Sequence, residues 1–260
     1  MSDKSSPLTA QQIAQFQDQG FLRLERFAVV EEINWVRTIY DRLFVERAGW
    51  DSGDHFDLAG TDDPQSPLRL PQMMNPAHYA PELAKVPLRT AALSLARQLL
   101  GASAEPTDEH AICKPEADGV ETPWHQDEAY WEPAYAYDAL SVWVPLQEVT
   151  VENGCMQFIP GSHRLGMLPH HSIGHDVRVH GLTTDDVDER RAVACPLPVG
   201  GCTVHHCRTL HYTGPNRSGQ VRRAYIMMFQ KPPVPLEVPG EFPWLTARRA
   251  ARQERSAAHL

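Results

Sequence analysis

The feature that most constrains the fold of this chain is a change in its hydrophobic pattern near residue 105. Before this point apolar residues recur at helical spacing, and after it short apolar runs are separated by Pro, Gly and Asn. Helical spacing predicts amphipathic helices, whereas short runs between turn residues predict the strands of a sandwich or barrel. We therefore expect a mainly β fold with flanking helices (α+β). A helical layer at about 1–104 should cover a β core at about 105–231.

The amino-terminal half carries specific helix signals. Thr9 and Gln12 form a capping box, and Gly20 predicts the end of the helix that follows. The alternating segment 21–24 predicts a short strand. Two further helices are expected at 30–45 and 87–100. Between them, residues 49–67 are rich in Asp, Gly, Ser and Pro and are expected to form a mobile loop.

The carboxy-terminal half is expected to contain most of the sheet. Strands are predicted at 109–114, 121–126, 139–146, 155–159, 201–206 and 222–230. The long polar segment 161–197 contains five histidines and is interpreted as an active-site loop. A Pro-rich stretch at 231–243 and an Arg-rich helical segment at 246–256 follow. The whole chain, 1–260, is expected to form one domain that ends in a tail over 232–260.

Composition excludes some partners and predicts a compartment. The net charge of −9 disfavours nucleic acid and anionic membranes as partners. No apolar run approaches the ~20 residues that span a bilayer, and no secretory signal is expected at the start. Five cysteines at irregular spacing are interpreted as reduced thiols of a cytoplasmic protein. The ending Ala258-His259-Leu260 loosely resembles a peroxisomal address, which is a weaker alternative.

One pair of polar residues in the β half points to a metal site. His125 and Asp127 lie two positions apart in a predicted strand, so both side chains should face the same side. The same H-x-D pattern occurs at His55 and Asp57, inside the polar loop and without a strand pattern around it. We interpret that earlier pair as structural or exposed to solvent.

The third metal ligand is less well defined by spacing, because His205, His206 and His211 all follow. Strand alternation turns only one of His205 and His206 inward, and either is more simply a packed or hydrogen-bonded sheet residue. His211, which follows a turn-like segment, is the predicted third ligand. Two imidazoles and one carboxylate that leave metal positions open are typical of non-haem Fe(II) oxygenases.

A basic pair at the start of the last predicted strand suggests a second element of the site. Arg222 and Arg223 are adjacent, so only one can face the interior. An inward arginine is costly unless an anion accompanies it. A guanidinium near such a metal suits the far carboxylate of a keto-acid cosubstrate.

Four segments, taken in order, resemble the phytanoyl-CoA dioxygenase family. They are Thr122-Pro123-Trp124-His125-Gln126-Asp127, the stretch from Asn153-Gly154 to Gly161-Ser162-His163, the stretch from Thr209-Leu210-His211 to Arg217-Ser218, and Arg222-Arg223. The opening Phe16-x-x-x-Gly20-Phe21-Leu22 is similar to the amino-terminal element of that family. The resemblance implies a double-stranded β-helix core (jelly-roll, cupin-like), with Fe(II) and the cosubstrates 2-oxoglutarate and O2.

The resemblance also implies residue roles. His125, Asp127 and His211 match the iron ligands. Arg222 matches the residue that binds the distal carboxylate of 2-oxoglutarate, Thr213 matches a hydroxyl that assists it, and Trp143 matches an aromatic lining of that pocket. Because a carboxylate is present at Asp127, where related halogenases have a small residue, the resemblance favours a hydroxylase.

The expected reaction is hydroxylation of an unactivated C–H bond of a small molecule, with release of succinate and CO2. Tyr130 and Trp131, just after the H-x-D pair, are candidate substrate-binding residues. Two alternatives remain open at this stage: a cupin-like metal-binding protein, or a metal-dependent hydrolase or isomerase without 2-oxoglutarate. Neither alternative needs Arg222 or Thr213. The oligomeric state is unknown from the sequence.

Overall fold

The structure, a computed structural model, describes residues 7–61, 67–116 and 120–248. Its helices are α1 (Ala10–Gln19), α2 (Val30–Val45), α3 (Pro76–Tyr79) and α4 (Pro87–Leu100), with a further helical stretch over 243–248. The predicted capping box at Thr9 is present, and α1 ends at Gly20, whose φ of 80° is in the left-handed region. The predicted helices at 30–45 and 87–100 are confirmed. Most of the predicted helical segment at 246–256 and the carboxy-terminal tripeptide lie outside the described residues.

The described residues contain fifteen strands. They are β1 (Phe21–Leu24), β2 (His55–Asp57), β3 (Pro71–Met74), β4 (Glu105–Lys114), β5 (Thr122–His125), β6 (Tyr135–Ala136), β7 (Ala139–Pro145), β8 (Met156–Phe158), β9 (His171–Ser172), β10 (Leu182–Thr183), β11 (Val193–Cys195), β12 (Cys202–His206), β13 (His211–Thr213), β14 (Arg222–Gln230) and β15 (Val234–Pro235). The strand predicted at 21–24 and the six predicted in the carboxy-terminal half are all confirmed. The strands β2, β3, β6, β9, β10, β11, β13 and β15 were not predicted, and β9, β10 and β11 lie within the segment 161–197 that was interpreted as a loop.

Two antiparallel sheets form the jelly-roll core. The larger has the order β1-β12-β7-β14-β4-β3-β2, and the smaller has the order β11-β8-β13-β5. Sequence neighbours are rarely sheet neighbours, which is the behaviour of a jelly-roll rather than a meander. Two short pairs, β10-β9 and β15-β6, lie outside these sheets.

The two faces of the larger sheet bury different kinds of side chain. One face, with Val142 and Tyr225, packs on α1, α2 and α4 in the largest apolar cluster. The other face, with Trp143 and Ile226, packs against Phe158 of the smaller sheet in a second cluster. Alternation along the strands produces this division, since successive side chains point to opposite faces.

Cross-strand register places a row of side chains along the inner face of the larger sheet. The row crosses the sheet from β12 to β3, and its members are Thr203, Trp143, Ile226, His110 and Met74. Two rows further along the same face, Arg222 of β14 pairs with Lys114 of β4. Paired residues share a face, so polar groups from distant parts of the chain meet inside the core.

One expectation about the amino-terminal half is wrong. Residues 49–67 were expected to be a mobile loop, but His55–Asp57 forms β2, the last strand of the larger sheet. Both His55 and Asp57 are buried. The strand is only three residues long and pairs with β3, so it depends on a tertiary contact that periodicity does not report. Residues 62–66 of this segment lie outside the described residues.

The polar segment 161–197 packs on the smaller sheet and bridges both halves of the molecule. The amide of Gly181 donates to the carbonyl oxygen of Leu58 at 2.8 Å, and the amide of Thr184 donates to that of Trp124 at 3.0 Å. After β14 the chain runs beside the residues that follow β5, where Trp244 Nε1 donates to the carbonyl oxygen of Ala129 at 2.8 Å. In the described part of the chain, no helix is long and apolar enough to cross a bilayer.

Candidate active site

The predicted donor set lies together at one end of the smaller sheet. His125 of β5 and His211 of β13 oppose each other in register, and their ring centroids are 4.1 Å apart. Asp127 Oδ1 is 3.4 Å from His211 Nε2 and 3.9 Å from His125 Nε2. One ligand atom from each of the three residues lies within 4.8 Å of the others, and no other such group is found among the described residues.

Backbone carbonyls set which imidazole nitrogen is free to bind a metal. His125 Nδ1 is 2.7 Å from the carbonyl oxygen of Pro123, and His211 Nδ1 is 2.9 Å from that of Thr209. A carbonyl only accepts, so each Nδ1 carries the proton and each Nε2 presents a lone pair. Metal-binding histidines are commonly fixed in this way.

The segment between the two ligands explains why they face the same side. β5 ends at His125, and Asp127 begins a short 3-10 helix, so the pair is not within one strand as expected. Gln126 nevertheless has extended dihedrals (φ −116°, ψ 135°), which preserves the alternation. Its side chain points away, donating to the carbonyl oxygens of Gly166 and Arg208 and accepting from the Leu168 amide.

The electrostatics suit ligation of a cation. Burial lowers the pKa of His125 to about 3, so its imidazole is neutral at neutral pH. Burial opposes ionisation of Asp127, but the imidazoles of His211 and His205 outweigh it and hold the pKa of that carboxyl well below its usual range. The site therefore offers two imidazole nitrogens and one carboxylate oxygen, the donor set of a non-haem Fe(II) centre.

A buried guanidinium lies on the inner face of the larger sheet. Arg222 is 1% exposed, and its Nη2 donates to Thr213 Oγ1 at 3.4 Å. Its Nε and Nη1 are buried without a hydrogen-bond partner among the described residues. Burial lowers the pKa of Arg222 to about 10, so it is still a cation at neutral pH. An unpaired buried cation is costly, so this pocket fits an anion that the protein alone does not supply.

The adjacent basic residues have different partners. Arg223 points to the opposite face and forms an ion pair with Asp41, as the alternation argument requires. Lys114, opposite Arg222 in register, donates to the carbonyl oxygens of Val120, Thr213 and Gly214. Lys114 therefore fixes the end of β13, including Thr213, beside the guanidinium.

Of the three aromatic residues predicted near the site, Trp143 lies beside Arg222 and Tyr130 lies beside His125. The ring of Trp143 is buried between the sheets, with the Arg222 Cζ 5.5 Å from its centroid. Tyr130 lies edge-on to His125, with centroids 6.1 Å apart, and its hydroxyl accepts from the Leu182 amide at 2.6 Å. Trp131 is partly buried against the inter-sheet cluster. Trp143 is thus a core residue that also lies beside the buried guanidinium.

The earlier H-x-D pair is a structural element, but not an exposed one. Asp57 accepts from the backbone amides of Ala59, Arg69 and Leu70 at 2.9–3.1 Å. Its carboxylate oxygens are therefore used to hold the turn after β2. His55 packs edge-on against Phe44. Within the part of the chain that the structure describes, the pair belongs to no group that could hold a metal ion. Its strand setting was missed because the surrounding sequence is polar.

The sequence did not assign site roles to the residues that contact Asp127. Ser141 Oγ donates to Asp127 Oδ2 at 2.7 Å, and His205 Nε2 lies 3.2 Å from the same oxygen. His205 was interpreted as a packed or hydrogen-bonded sheet residue, and it is hydrogen-bonded to the predicted ligand. His110 is a further inner-face imidazole, and its Nδ1 is buried without a partner among the described residues. The only available signal was alternation, which placed one of His205 and His206 inward.

Comparison with known proteins identifies the class to which this fold and site belong. The model of the phytanoyl-CoA dioxygenase (PhyH) family matches residues 16–224. The chain therefore belongs to the phytanoyl-CoA dioxygenase family.

Individual relatives agree with this assignment. A probable alpha-ketoglutarate-dependent hypophosphite dioxygenase from Stutzerimonas stutzeri is 26% identical over 223 residues, covering 84% of this chain and 77% of that protein. The crystal structure of EvdO2 from Micromonospora carbonacea var. aurantiaca, complexed with 2-oxoglutarate, is 39% identical with a TM-score of 0.80. That match covers 92% of this chain and 98% of EvdO2. The alpha-ketoglutarate-dependent carbocyclase SnoK has a TM-score of 0.70 at 22% identity, covering 89% of this chain and 87% of SnoK, and shows the fold alone.

The residues present fit the cofactors of such enzymes. The donor set of His125, Asp127 and His211 matches Fe(II). The two nitrogens of Arg222 that lack a partner among the described residues match one end of a dicarboxylate. The chain therefore carries residues that fit Fe(II) as a cofactor and 2-oxoglutarate as a cosubstrate.

Proposed function

We propose that the protein is an Fe(II)/2-oxoglutarate-dependent dioxygenase that hydroxylates an unactivated C–H bond of a small-molecule substrate. The observation that carries the proposal is the buried guanidinium of Arg222, with two donor nitrogens unpaired among the described residues, inside the same core as a His-Asp-His donor set. A metal site explains the donor set alone. Only an anionic cosubstrate explains the cation as well.

In this proposal His125, Asp127 and His211 hold the metal. Their ligand atoms are His Nε2, Asp Oδ1 and His Nε2, because each Nδ1 is bonded to a backbone carbonyl. His125 stays neutral and Asp127 stays ionised, so neither group has to lose a proton before the metal binds.

The distal carboxylate of 2-oxoglutarate is assigned to Arg222 and Thr213, and Trp143 forms one wall of that pocket. A carboxylate between Arg222 Nε, Nη1 and the Thr213 hydroxyl would satisfy the buried donors that now lack partners. Lys114 donates to the carbonyl oxygen of Thr213 and so holds it in place. The hydrogen bonds of the Lys114 ammonium described above all go to backbone oxygens. Lys114 is therefore a positioning residue rather than a second carboxylate ligand.

When bound, Fe(II) and 2-oxoglutarate supply the oxidising chemistry: one oxygen atom of O2 enters succinate as CO2 leaves, and the other enters the substrate as hydroxyl. The residues of the chain bind and orient these groups. The apolar inter-sheet cluster around Trp143 excludes bulk water from the cosubstrate pocket. Tyr130 and Trp131 lie just after Asp127, and we propose that they contact the substrate.

Hydroxylation is the favoured reaction type because the carboxylate of Asp127 is present among the candidate ligands. The fold itself permits other outcomes, since SnoK, which shares the fold, is a carbocyclase. A metal-binding protein without catalysis, or a hydrolase or isomerase, would leave the burial of Arg222 without a reason. We further propose a single domain that acts in the cytoplasm, where its five buried free cysteines stay reduced.

The decisive experiment is anaerobic reconstitution with Fe(II), followed by titration with 2-oxoglutarate while the visible spectrum is recorded. Direct chelation of the keto acid gives a weak metal-to-ligand charge-transfer band that requires both components. Such a band, together with succinate release when O2 is admitted, would support the proposal. Bound metal without a band at saturating 2-oxoglutarate would overturn it in favour of the metal-binding or hydrolytic alternatives.

A further inference from the structure

Asp127 uses its two carboxylate oxygens in different ways. Oδ1 faces the imidazole nitrogens of His211 and His125, at 3.4 and 3.9 Å. Oδ2 points the other way, toward the larger sheet, where Ser141 Oγ lies at 2.7 Å and His205 Nε2 at 3.2 Å. One oxygen is therefore directed at the metal position, and the other is held by the opposite sheet.

The two groups that hold Oδ2 form a built site. Ser141 of β7 and His205 of β12 are cross-strand partners on the inner face of the larger sheet, and each is 2% exposed. A carboxylate oxygen only accepts, so Ser141 donates its hydroxyl proton and His205 donates an Nε2 proton. The two contacts fill both lone-pair positions of Oδ2.

The ring of His205 has little other support. Its Nδ1 is buried without a hydrogen-bond partner among the described residues. The ring packs between His211 and Phe158, at centroid distances of 4.3 and 5.4 Å. The hydrogen bond to Asp127 is therefore the polar contact that fixes the orientation of this imidazole beside the metal position.

From this geometry we infer that Ser141 and His205 are positioning residues that keep Asp127 a ligand through Oδ1 alone. The inference rests on the proposed function. With Oδ2 occupied, the carboxylate takes one metal position instead of two. Two imidazoles and one such oxygen leave three positions, which a bidentate keto acid and O2 require together. Freeing Oδ2 would let the carboxylate chelate the metal or rotate away from it.

The test compares variants by Fe(II) affinity and by the charge-transfer band with 2-oxoglutarate, both measured anaerobically and without substrate. His205→Leu is expected to weaken Fe(II) binding about 10- to 100-fold, the usual effect of losing a group that supports a metal ligand. At saturating metal the band should also lose intensity or shift. Ser141→Ala should act in the same direction with a smaller effect, about 3- to 10-fold.

Rescue distinguishes positioning from packing. His205→Gln places an amide nitrogen where the imidazole Nε2 was and is expected to recover most of the affinity and the band. His205→Asn, whose amide is one bond shorter, should not. The matched control is Thr203→Val, which removes another buried hydroxyl from the same face of β12, one without a partner among the described residues. The control should bind Fe(II) and 2-oxoglutarate like the native chain.

The outcomes separate this inference from the proposed function. If the native protein binds Fe(II) but gives no band, the proposed function fails. If the native protein gives the band and both His205→Leu and Ser141→Ala keep its affinity and position, the positioning role is overturned while the proposed function stands. If His205→Leu does not fold, Ser141→Ala decides the question alone, because losing one hydroxyl preserves the packing.

Discussion

The chain carries the H-x-D pattern twice, and the two regions around it use the same residue types for opposite purposes. His55 and Asp57 form an outer strand of the larger sheet, whereas His125 ends a strand of the smaller one and Asp127 follows it. Both histidines are buried. The carboxylate oxygens of Asp57 accept hydrogen bonds from three backbone amides, whereas one carboxylate oxygen of Asp127 faces two imidazoles.

This difference shows that a binding site is marked by polar atoms whose hydrogen-bonding capacity is not used by other groups of the protein. The same contrast separates two arginines on the faces of the larger sheet. Arg89 forms an ion pair with Glu109 and a hydrogen bond to Tyr225, while Arg222 keeps two nitrogens unpaired among the described residues. Paired polar groups stabilise the apo protein, and an unpaired buried charge such as that of Arg222 indicates a ligand of opposite charge.

The largest expected effect separates the two aspartates. Asp127→Ala should abolish 2-oxoglutarate-dependent O2 consumption and most Fe(II) binding, because it removes one of three donor groups. Asp57→Ala should leave Fe(II) binding intact but lower the free energy of unfolding by about 3 kcal/mol, since three backbone amides lose their acceptor. Metal titration and urea unfolding of both variants check this. Loss of the metal in Asp57→Ala, with Asp127→Ala still active, would reverse the assignment.

The next effect separates the two arginines. Arg222→Leu should weaken 2-oxoglutarate binding by about 3 kcal/mol, a factor of roughly 100 or more, with Fe(II) affinity unchanged. The same change should raise the stability of the metal-free protein by about 1–3 kcal/mol, because an uncompensated buried charge is removed.

Arg89→Leu is the matched comparison on the other face. It should leave 2-oxoglutarate affinity unchanged and destabilise the protein by about 3 kcal/mol, because Glu109 is then buried without its cation. Calorimetric titration and urea unfolding measure both quantities. Equal stability losses in the two variants would show that Arg222 is a structural residue.

A smaller effect concerns acid. Burial lowers the pKa values of His110, His170 and His206 to about 4, below the ~6.5 of an unfolded imidazole. As pH falls from about 7 to 5, the unfolded chain therefore binds more protons than the folded one, and stability decreases. Each group contributes at most about 1.4 kcal/mol per pH unit.

Urea unfolding of the metal-free protein at several pH values measures this slope. His170 accepts a hydrogen bond from the backbone amide of Gln126, which lies in the second H-x-D region. His170→Gln removes this imidazole and should reduce the slope of unfolding free energy against pH by about the contribution of one group. An unchanged slope would mean that His170 is protonated in the folded protein.

The smallest effect tests the segment that connects the two regions. Gly181 bonds to Leu58, directly after Asp57, and Leu182 bonds to the hydroxyl of Tyr130, three residues after Asp127. Tyr130→Phe removes that acceptor and should cost about 1 kcal/mol, with faster hydrogen exchange at the Leu182 amide. Tyr137→Phe, which removes an exposed hydroxyl, should change neither. Unaltered exchange in Tyr130→Phe would show that the contact does not order the segment.

Much of the fold follows from local pattern. The capping box at Thr9, the two longer helices and the strands of the carboxy-terminal half depend on spacing within a few residues. The strands β2, β3, β6, β9, β10, β11, β13 and β15, each two to four residues long, did not show in the pattern, although the equally short β1, β5 and β8 did. Such short strands are set by the neighbour with which they pair rather than by their own propensity.

The candidate site divides in the same way. The order of His125, Asp127 and His211 along the chain, together with the family resemblance, predicted the donor set that the structure brings together. The roles of Ser141 and His205 could not be predicted, because they depend on the register between β7 and β12 and on how the two sheets pack. Register is a non-local property, and a shift of the strand pairing by one residue would turn both side chains to the helix-covered face.

By itself, the sequence determined which donor types this protein carries, their order, and the alternation that turns Arg222 and Arg223 to opposite faces. Only the tertiary structure decided which H-x-D pair has a carboxylate oxygen available to a metal, and which oxygen of Asp127 it is. It also decided which buried guanidinium stays unpaired among the described residues. The physical reason is that side-chain direction follows from local backbone geometry. Whether a donor or acceptor is satisfied depends on every group that packing brings within about 3 Å of it.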